Sequence, residues 1–213
     1  MSLLARFLRF FFRHLYTTFA WAYDLVALGT SMGQWGVWQR VALNSLPHEG
    51  CVLEVGHGPG HLLKQRALQG QFDIGIDASP QMTNIAARRL RRAGFPPKLV
   101  RAQAQALPFA SASMRAIYAT FPSEYIVSPQ ALASLHRVLE DDGFIVVVPM
   151  AQITGRSLPD RIAALLYRVT GQAGEFGTGW DDFLEKAGFS AKLERVKLPR
   201  AVVFRLLAAK IRG

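Results

Sequence analysis

Apolar residues change their rhythm along this chain, and the changes mark its elements. From Leu3 to about Tyr23 the spacing is helical: Leu4, Phe7, Leu8, Phe11 and Leu15 fall on one face, and Arg6, Arg9 and Arg13 on the other. More helix is expected through Trp35, Trp38 and Val41, until Pro47 and Gly50 break it. Short apolar runs then alternate with helical ones. CVLEV reads as a first strand, GHGPG as a turn and HLLKQRALQ as a helix; FDIGI is a second strand, ending at Asp77. SPQMTNIAARRLRR reads as a helix with Ser79 as N-cap and Pro80 in its first turn. KLVRA, AIYAT and FIVVVPM supply three more strands, with a helix over PQALASLHRVL before the last. This alternation predicts βαβ units and a doubly wound, mainly parallel α/β sheet.

The end of the chain breaks the alternation. After a loop-rich stretch holding Gly171, Gly174, Gly177 and Gly179, a short helix is expected from about Trp180 to Lys186. AKLERVKL and AVVFRLLAAK follow as strands, split only by Pro199 and Arg200. So short a link cannot hold a crossover helix, so the two strands pair antiparallel and one strand of the sheet is reversed.

Composition narrows the class. A chain of 213 residues, 50% hydrophobic and 19% charged, is globular and fits one domain. Its expected parts are a helical cap over 1–48, a ligand-binding core over 49–150, and a variable segment with the C-terminal strand pair over 151–213. The net charge of +10, mostly arginine, suits anionic partners or lipid headgroups, but charge alone favours a solvated basic surface. Cys51 is the only cysteine, which excludes an intrachain disulfide and a cysteine metal cluster. It opens an apolar run and is expected to be buried, in a reducing compartment. No apolar run is long enough for a transmembrane helix. The first 23 residues carry no acid, as in a transit peptide. A secretory signal is disfavoured, because arginines interrupt the apolar stretch.

The candidate chemistry gathers at LEVGHGPGH, residues 53–61. In an open α/β sheet, ligands sit beyond the carboxyl ends of the strands at the topological switch point. Gly56, Gly58 and Gly60 permit a sharp turn and close approach of a ligand. Asp77, ending the next strand, can accept hydrogen bonds from ribose hydroxyls. A dinucleotide fingerprint would need glycine at position 61, where the chain has His61. Rival motifs are weaker. His57 and His61 are separated by Gly58, Pro59 and Gly60 and find no third ligand, so no metal site is expected. GTSMG, residues 29–33, fits the pattern of a nucleophile elbow but lies in the helical cap. RRLRR, residues 88–92, closes a helix, where cations suit the dipole and face solvent.

At these residues the chain resembles the class I S-adenosylmethionine-dependent methyltransferases, in particular the small-molecule branch that includes the ubiquinone and menaquinone methyltransferases. VLEVGHGPGHLL is similar to the family's first motif, and GIDASPQMTNIAARRL to its second strand and helix. AQAQALPFASASM lies where the family reads G-D-A-x-x-L-P-F, LHRVLEDDGFIVVV where it reads R-V-L-K-P-G-G, and LYTTFAWAYD matches a helical cap. The resemblance implies a Rossmann-like seven-stranded sheet, mainly parallel with one antiparallel strand near the C-terminus and preceded by a cap. It implies S-adenosyl-L-methionine as cofactor. Glu54, Gly56, Gly58 and Gly60 would surround its methionine part and Asp77 its ribose. Ala78 and Met82 would line the adenine pocket, with Gln103 and Ala104 beside it. Thr120 and Phe121 would border the sulfonium, and Tyr16 and Tyr23 would close over from the cap. That last role argues that the chain keeps its N-terminal region at least from Tyr16 onward, against a transit peptide.

Three positions depart from the family pattern. Gln103 stands where an aspartate usually accepts from the adenine amino group; its carbonyl can still accept. Arg115 replaces an aspartate at the start of the fourth strand, and EDDG replaces K-P-G-G; both read as surface variation. No catalytic residue is evident, since methyl transfer can run on placement and exclusion of water alone. His14, Glu124 and Tyr125 are the polar residues expected near the methyl group. The expected function is methyl transfer to a small, apolar acceptor such as a quinone or lipid-like molecule. The alternatives are a nucleic-acid methyltransferase, favoured only by charge, and a non-catalytic cofactor-binding protein. The expected location is cytoplasmic. Residues 1–15 either give peripheral membrane contact or pack on the protein's own core or a second subunit.

Overall fold

The computed structural model describes residues 31, 33–155, 157, 160 and 180–211. The amphipathic segment with His14, Tyr16 and Tyr23 lies outside them, as does the glycine-bearing stretch 161–179.

Strands β1 (Val52–Val55), β2 (Ile74–Asp77), β3 (Leu99–Arg101), β4 (Met114–Thr120), β5 (Leu139–Ile153), β6 (Phe189–Leu198) and β7 (Ala201–Lys210) form one seven-stranded sheet in the order β3-β2-β1-β4-β5-β7-β6. The first five are parallel, and β7 runs antiparallel to both β5 and β6. The sheet is therefore the expected mainly parallel one with a single reversed strand. Among the described residues the helices are α1 (Trp35–Arg40), α2 (His61–Leu68), α3 (Pro80–Arg92), α4 (Pro129–Val138) and α5 (Trp180–Lys186). Caps set two of them. Ser79 accepts from Met82 N–H at 3.2 Å and Ser128 from Ala131 N–H at 3.3 Å, each followed by a proline whose missing donor costs nothing there.

Alternating side chains give the sheet two apolar faces. Leu53, Val55, Ile117, Ala119, Ile145 and Val147 pack with Leu132, Leu135 and Val138 of α4 and Leu184 of α5. Val52, Ala116, Tyr118, Val146 and Val148 pack with Trp38 of α1, Val41, Ala42 and Leu62 of α2. No helix among the described residues is long and apolar enough to cross a membrane.

The structure corrects several expectations. The helix before Pro47 stops at Arg40 and tightens into a 3-10 turn over Leu43–Ser45. Leu46 is extended, as a residue before proline prefers. Cys51 is exposed, because β1 begins one residue later at Val52. EDDG is a bulge within β5: Met114 pairs with Leu139 but Ala116 with Phe144, so the residues between bow out. The Arg115 guanidinium pairs there with Asp142 and, at 3.8 Å, with Glu140. The two departures are thus one compensated reversal of charge. Buried Arg66 makes a bidentate pair with Asp73 at 2.8 and 3.0 Å and donates to Pro47 O at 3.1 Å, tying α2 to the segments entering β1 and β2. Arg66 lies on α2 and Asp73 in the loop before β2, and no motif in the sequence marks them as a pair.

Candidate active site at the carboxyl ends of β1, β2 and β4

From β1 the chain steps to β2 and β3 on one side, then crosses to β4 on the other. The crevice between the ends of β1 and β4 is therefore the switch point. The loop from Gly56 to Gly60 fills its floor.

All three glycines take left-handed φ values, 72°, 52° and 77°. Their surroundings differ. A Cβ on Gly56 would lie 2.6 Å from the Tyr125 hydroxyl, and one on Gly60 2.7 Å from Ala86 Cβ of α3. A Cβ on Gly58 would meet open space. The loop is pinned by backbone and carboxylate together. Gly56 and His57 N–H donate to Ile76 O at 2.8 and 3.1 Å. Gly58 N–H donates to Asp77 Oδ2 at 2.9 Å, while Ser79 N–H donates to Asp77 Oδ1 at 2.8 Å. Arg89 reaches back from α3 to donate to Pro59 O at 2.5 Å, so one member of the basic helix end serves the loop and does not simply face solvent.

His57, only 4% exposed, lies beneath the loop. Its Nδ1 is 2.7 Å from Gly58 O, and its Cδ2 would be 2.9 Å from a Cβ on Gly75. The glycine inside β2 therefore makes room for the ring. Its Nε2 is buried without a hydrogen-bond partner, and burial lowers its pKa, opposed by the Asp77 charge. No group of acidic, histidine or cysteine residues among the described ones could hold a metal ion.

Glu54 is 2% exposed. Parallel register sets it beside Tyr118 of β4, whose hydroxyl donates to Glu54 Oε2 at 3.1 Å. Burial raises the Glu54 pKa well above the usual carboxylate range, and Asp73 and Asp77 add to this. Nothing in AIYAT marked Tyr118 as the partner of an acid; only register shows it.

At the end of β4, Thr120 Oγ1 accepts from Gln39 Nε2 of α1 at 3.3 Å. Phe121 follows with φ 48°, a strained value for a bulky residue. Its ring stacks on Trp35 at 4.1 Å between centroids and lies 6.3 Å from Trp38. Tyr125 is brought to Gly56, while Glu124 is exposed one residue earlier. Ala78 is exposed beyond β2, where its carbonyl accepts from Arg101 at 3.3 Å; Met82 is buried in the first turn of α3. Gln103 is exposed just past β3 and Ala104 is buried beside it. Ser31 of GTSMG accepts from Trp35 N–H at 3.0 Å, so it serves the start of α1. Sequence reasoning did not place Trp35 or Gln39 at the site; the helical run through Trp35, Trp38 and Val41 does not reveal what its face meets.

The arrangement offers a glycine floor open at Gly58, a carboxylate at the next strand end and an aromatic wall. It suits a nucleoside-bearing ligand laid across the strand ends. Comparison with known proteins agrees. Residues 52–143 match the family model described as a methyltransferase domain.

The region from β1 to the β5 bulge is thus similar to a methyltransferase domain.

The chain is 32% identical over 160 residues to a demethylmenaquinone methyltransferase of Tropheryma whipplei, covering 74% of this chain and 64% of that protein. It is 33% identical over 134 residues to the demethylmenaquinone methyltransferase of Thermus thermophilus, covering 59% and 60%. The chain thus spans less than two thirds of the length of these relatives. In fold it is similar to a SAM-dependent methyltransferase, possible histamine N-methyltransferase, of Thermotoga maritima, with a TM-score of 0.61 and 21% identity over 92% of this chain and 98% of that one. The matched methyltransferase domain runs from β1 to the β5 bulge. It includes the glycine loop, Asp77, Gln103, Thr120 and Phe121, and leaves out α1 and the β6–β7 pair.

Proposed function

We propose that the chain binds S-adenosyl-L-methionine across the ends of β3, β2, β1 and β4 and transfers its methyl group to a small, apolar acceptor of the quinone or lipid-like kind. The observation that carries this reading is the left-handed glycine loop, open at Gly58 and tied to Asp77 at the adjacent strand end. Each Asp77 oxygen already accepts one backbone N–H, and each keeps a lone pair for a ribose hydroxyl. Glu54, Gly56, Gly58 and Gly60 would hold the methionine end. Ala78, Met82, Gln103 and Ala104 would hold the adenine, Thr120 and Phe121 the sulfonium side, and Tyr16 and Tyr23 would close over it.

When bound, the sulfonium supplies an electrophilic methyl group. The residues of this chain have to orient it and exclude water. Phe121, Trp35 and Trp38 supply a dry wall, and Glu54 at raised pKa adds no net negative charge beneath the loop while protonated. The quinone-type acceptor is supported by the names of the two relatives above. Calorimetry tests the cofactor: S-adenosylmethionine is expected to bind and NAD not to, and tighter binding of NAD would overturn the reading. Incubating extracts with isotope-labelled cofactor and searching for labelled products by mass spectrometry tests the acceptor; label confined to nucleic acid would exclude a quinone-type one.

A further inference from the structure

Charge is spread unevenly along the chain. No acid lies between Asp77 and Glu124, while Arg88, Arg89, Arg91, Arg92, Lys98 and Arg101 do. Arg89 is engaged by Pro59 O and Arg101 by Ala78 O. Arg88, Arg91, Arg92 and Lys98 are exposed, and none of them forms an ion pair. Asp73, the acid next to Phe72 in the chain, is buried and held by Arg66. The free cations gather at one corner. Helices α2 and α3 start at the carboxyl ends of β1 and β2 and run to the opposite edge of the sheet. There the turn after α2 leads through Phe72 into β2, and the turn after α3 leads through Phe95 and Lys98 into β3. Gly75 N–H donates to Lys98 O at 2.9 Å, joining the two segments. The Phe72 and Phe95 rings meet edge-on at 6.1 Å, and Lys98 Nζ lies 5.8 Å above the Phe72 ring. Leu68 is nevertheless 65% exposed and Phe72 47%. The helix dipole accounts for arginines in the last turn of α3, but not for a leucine and a phenylalanine left open beside them.

We infer that this corner, at the amino ends of β2 and β3, docks the protein on an anionic lipid bilayer. Unpaired cations match the negative surface potential of such a bilayer, and exposed apolar tips enter its headgroup boundary. Lys98 has the geometry of a snorkelling side chain: its stem covers the Phe72 ring and its charge stays at the surface. Nucleic acid would use the same charges but needs open ring faces on which bases stack. Lys98 covers a face of Phe72, Phe95 meets that ring edge-on, and Leu68 has no ring to offer. The corner lies at the opposite ends of the strands from the glycine loop, so docking leaves the crevice open. The inference is therefore independent of the cofactor reading.

The test is co-sedimentation of the full chain with vesicles of phosphatidylcholine, alone or with about one third phosphatidylserine. The parent is expected to bind the anionic vesicles, more weakly as salt rises, and to leave the neutral ones. Arg91→Gln with Arg92→Gln should lower partitioning roughly tenfold or more, at about fivefold per charge. Lys192→Gln with Lys197→Gln makes the same change of charge on β6, at the far edge of the sheet, and should lower it less than about threefold. Leu68→Ser with Phe72→Ser leaves the charge alone and should lower partitioning at least about fivefold. Should melting curves show that this pair unfolds the protein, Leu68→Ser alone carries the arm, since that side chain is largely open to water. Failure of the parent to bind anionic vesicles, equal losses from the two charge variants, or binding that survives the loss of Leu68 and Phe72 would each overturn the inference. So would a single-stranded oligonucleotide that binds through Arg91 and Arg92 while vesicles are ignored, which would assign the corner to nucleic acid.

Discussion

The two sides of the crevice are built from different material. On the β1–β2 side the shape is made by backbone: three left-handed glycines, N–H groups aimed at Ile76 O and Asp77, and a helix packed against Gly60. On the β4–α1 side it is made by side chains: Trp35, Trp38 and Gln39 against Thr120 and Phe121. Both sides use positive φ, but glycine adopts it without strain, whereas at Phe121 it costs about 1 to 3 kcal/mol. A backbone cradle fixes one ligand shape whatever the neighbouring side chains are. A side-chain wall can be re-specified by a single substitution.

The sharpest way to break this comparison is within the loop itself. Gly60→Ala meets both a left-handed φ and Ala86 Cβ at 2.7 Å and Cα at 3.1 Å. Strain of about 1 to 2 kcal/mol and overpacking of about 1 to 3 should together destabilise the protein by about 2 to 5 kcal/mol. Gly58→Ala has the same kind of φ but open space around it, so only the strain of about 1 to 2 kcal/mol is expected. Denaturant unfolding of the two variants measures the difference. Equal losses would mean that α3 yields and that packing does not select glycine at position 60.

The carboxylate is the next lever. Asp77→Ala should weaken S-adenosylmethionine binding by about 2 to 3 kcal/mol, through lost hydrogen bonds to a charged group and a loop no longer held at Gly58. Calorimetry reads this directly, and unchanged affinity would remove Asp77 from the cofactor site.

The same division explains what could be read in the sequence. Strand–helix alternation, the Ser79 cap, the glycine loop and the two-residue link before β7 are local signals, and each appears where expected. What stayed hidden depends on register or on long separations. Tyr118 meets Glu54 only because β1 and β4 pair in one register, and Gln39 meets Thr120 across 81 positions. Arg115 and the acids of EDDG looked like unrelated surface changes until the bulge brought them together. Cys51 is exposed although it opens an apolar run, because such a run does not reveal at which residue a strand enters the sheet.

The buried acid gives a test with a definite sign. Burial raises the folded pKa of Glu54 above its ordinary 4.5, so as pH rises the unfolded chain releases this proton first. Its contribution to stability is therefore present below about pH 4.5 and is lost as pH climbs toward the raised folded value. His57 acts oppositely: its lowered pKa costs stability as pH falls below 6.5. Glu54→Gln keeps an acceptor for Tyr118 and removes the ionisation. Thermal melts between about pH 5 and 8 should show the parent losing stability relative to this variant as pH rises. Parallel curves would mean that Glu54 ionises in the folded protein as readily as in the unfolded one.

Gln103 carries the smallest expected effect and probes how far the backbone-built side extends. It lies past β3, next to the strand that ends in Asp77, on the side where the adenine would rest. Its side chain is exposed, so water competes for the bond to the adenine amino group, and Gln103→Leu should cost only about 1 kcal/mol of cofactor affinity. Gln103→Asp should hold or raise affinity, because a charged acceptor binds the same donor more strongly. Competition with S-adenosylhomocysteine reads both changes on one scale. If Leu, Gln and Asp bind alike, the amino group is satisfied by something other than this side chain. The adenine end would then be held by shape and backbone alone, as the glycine loop is proposed to hold the methionine end.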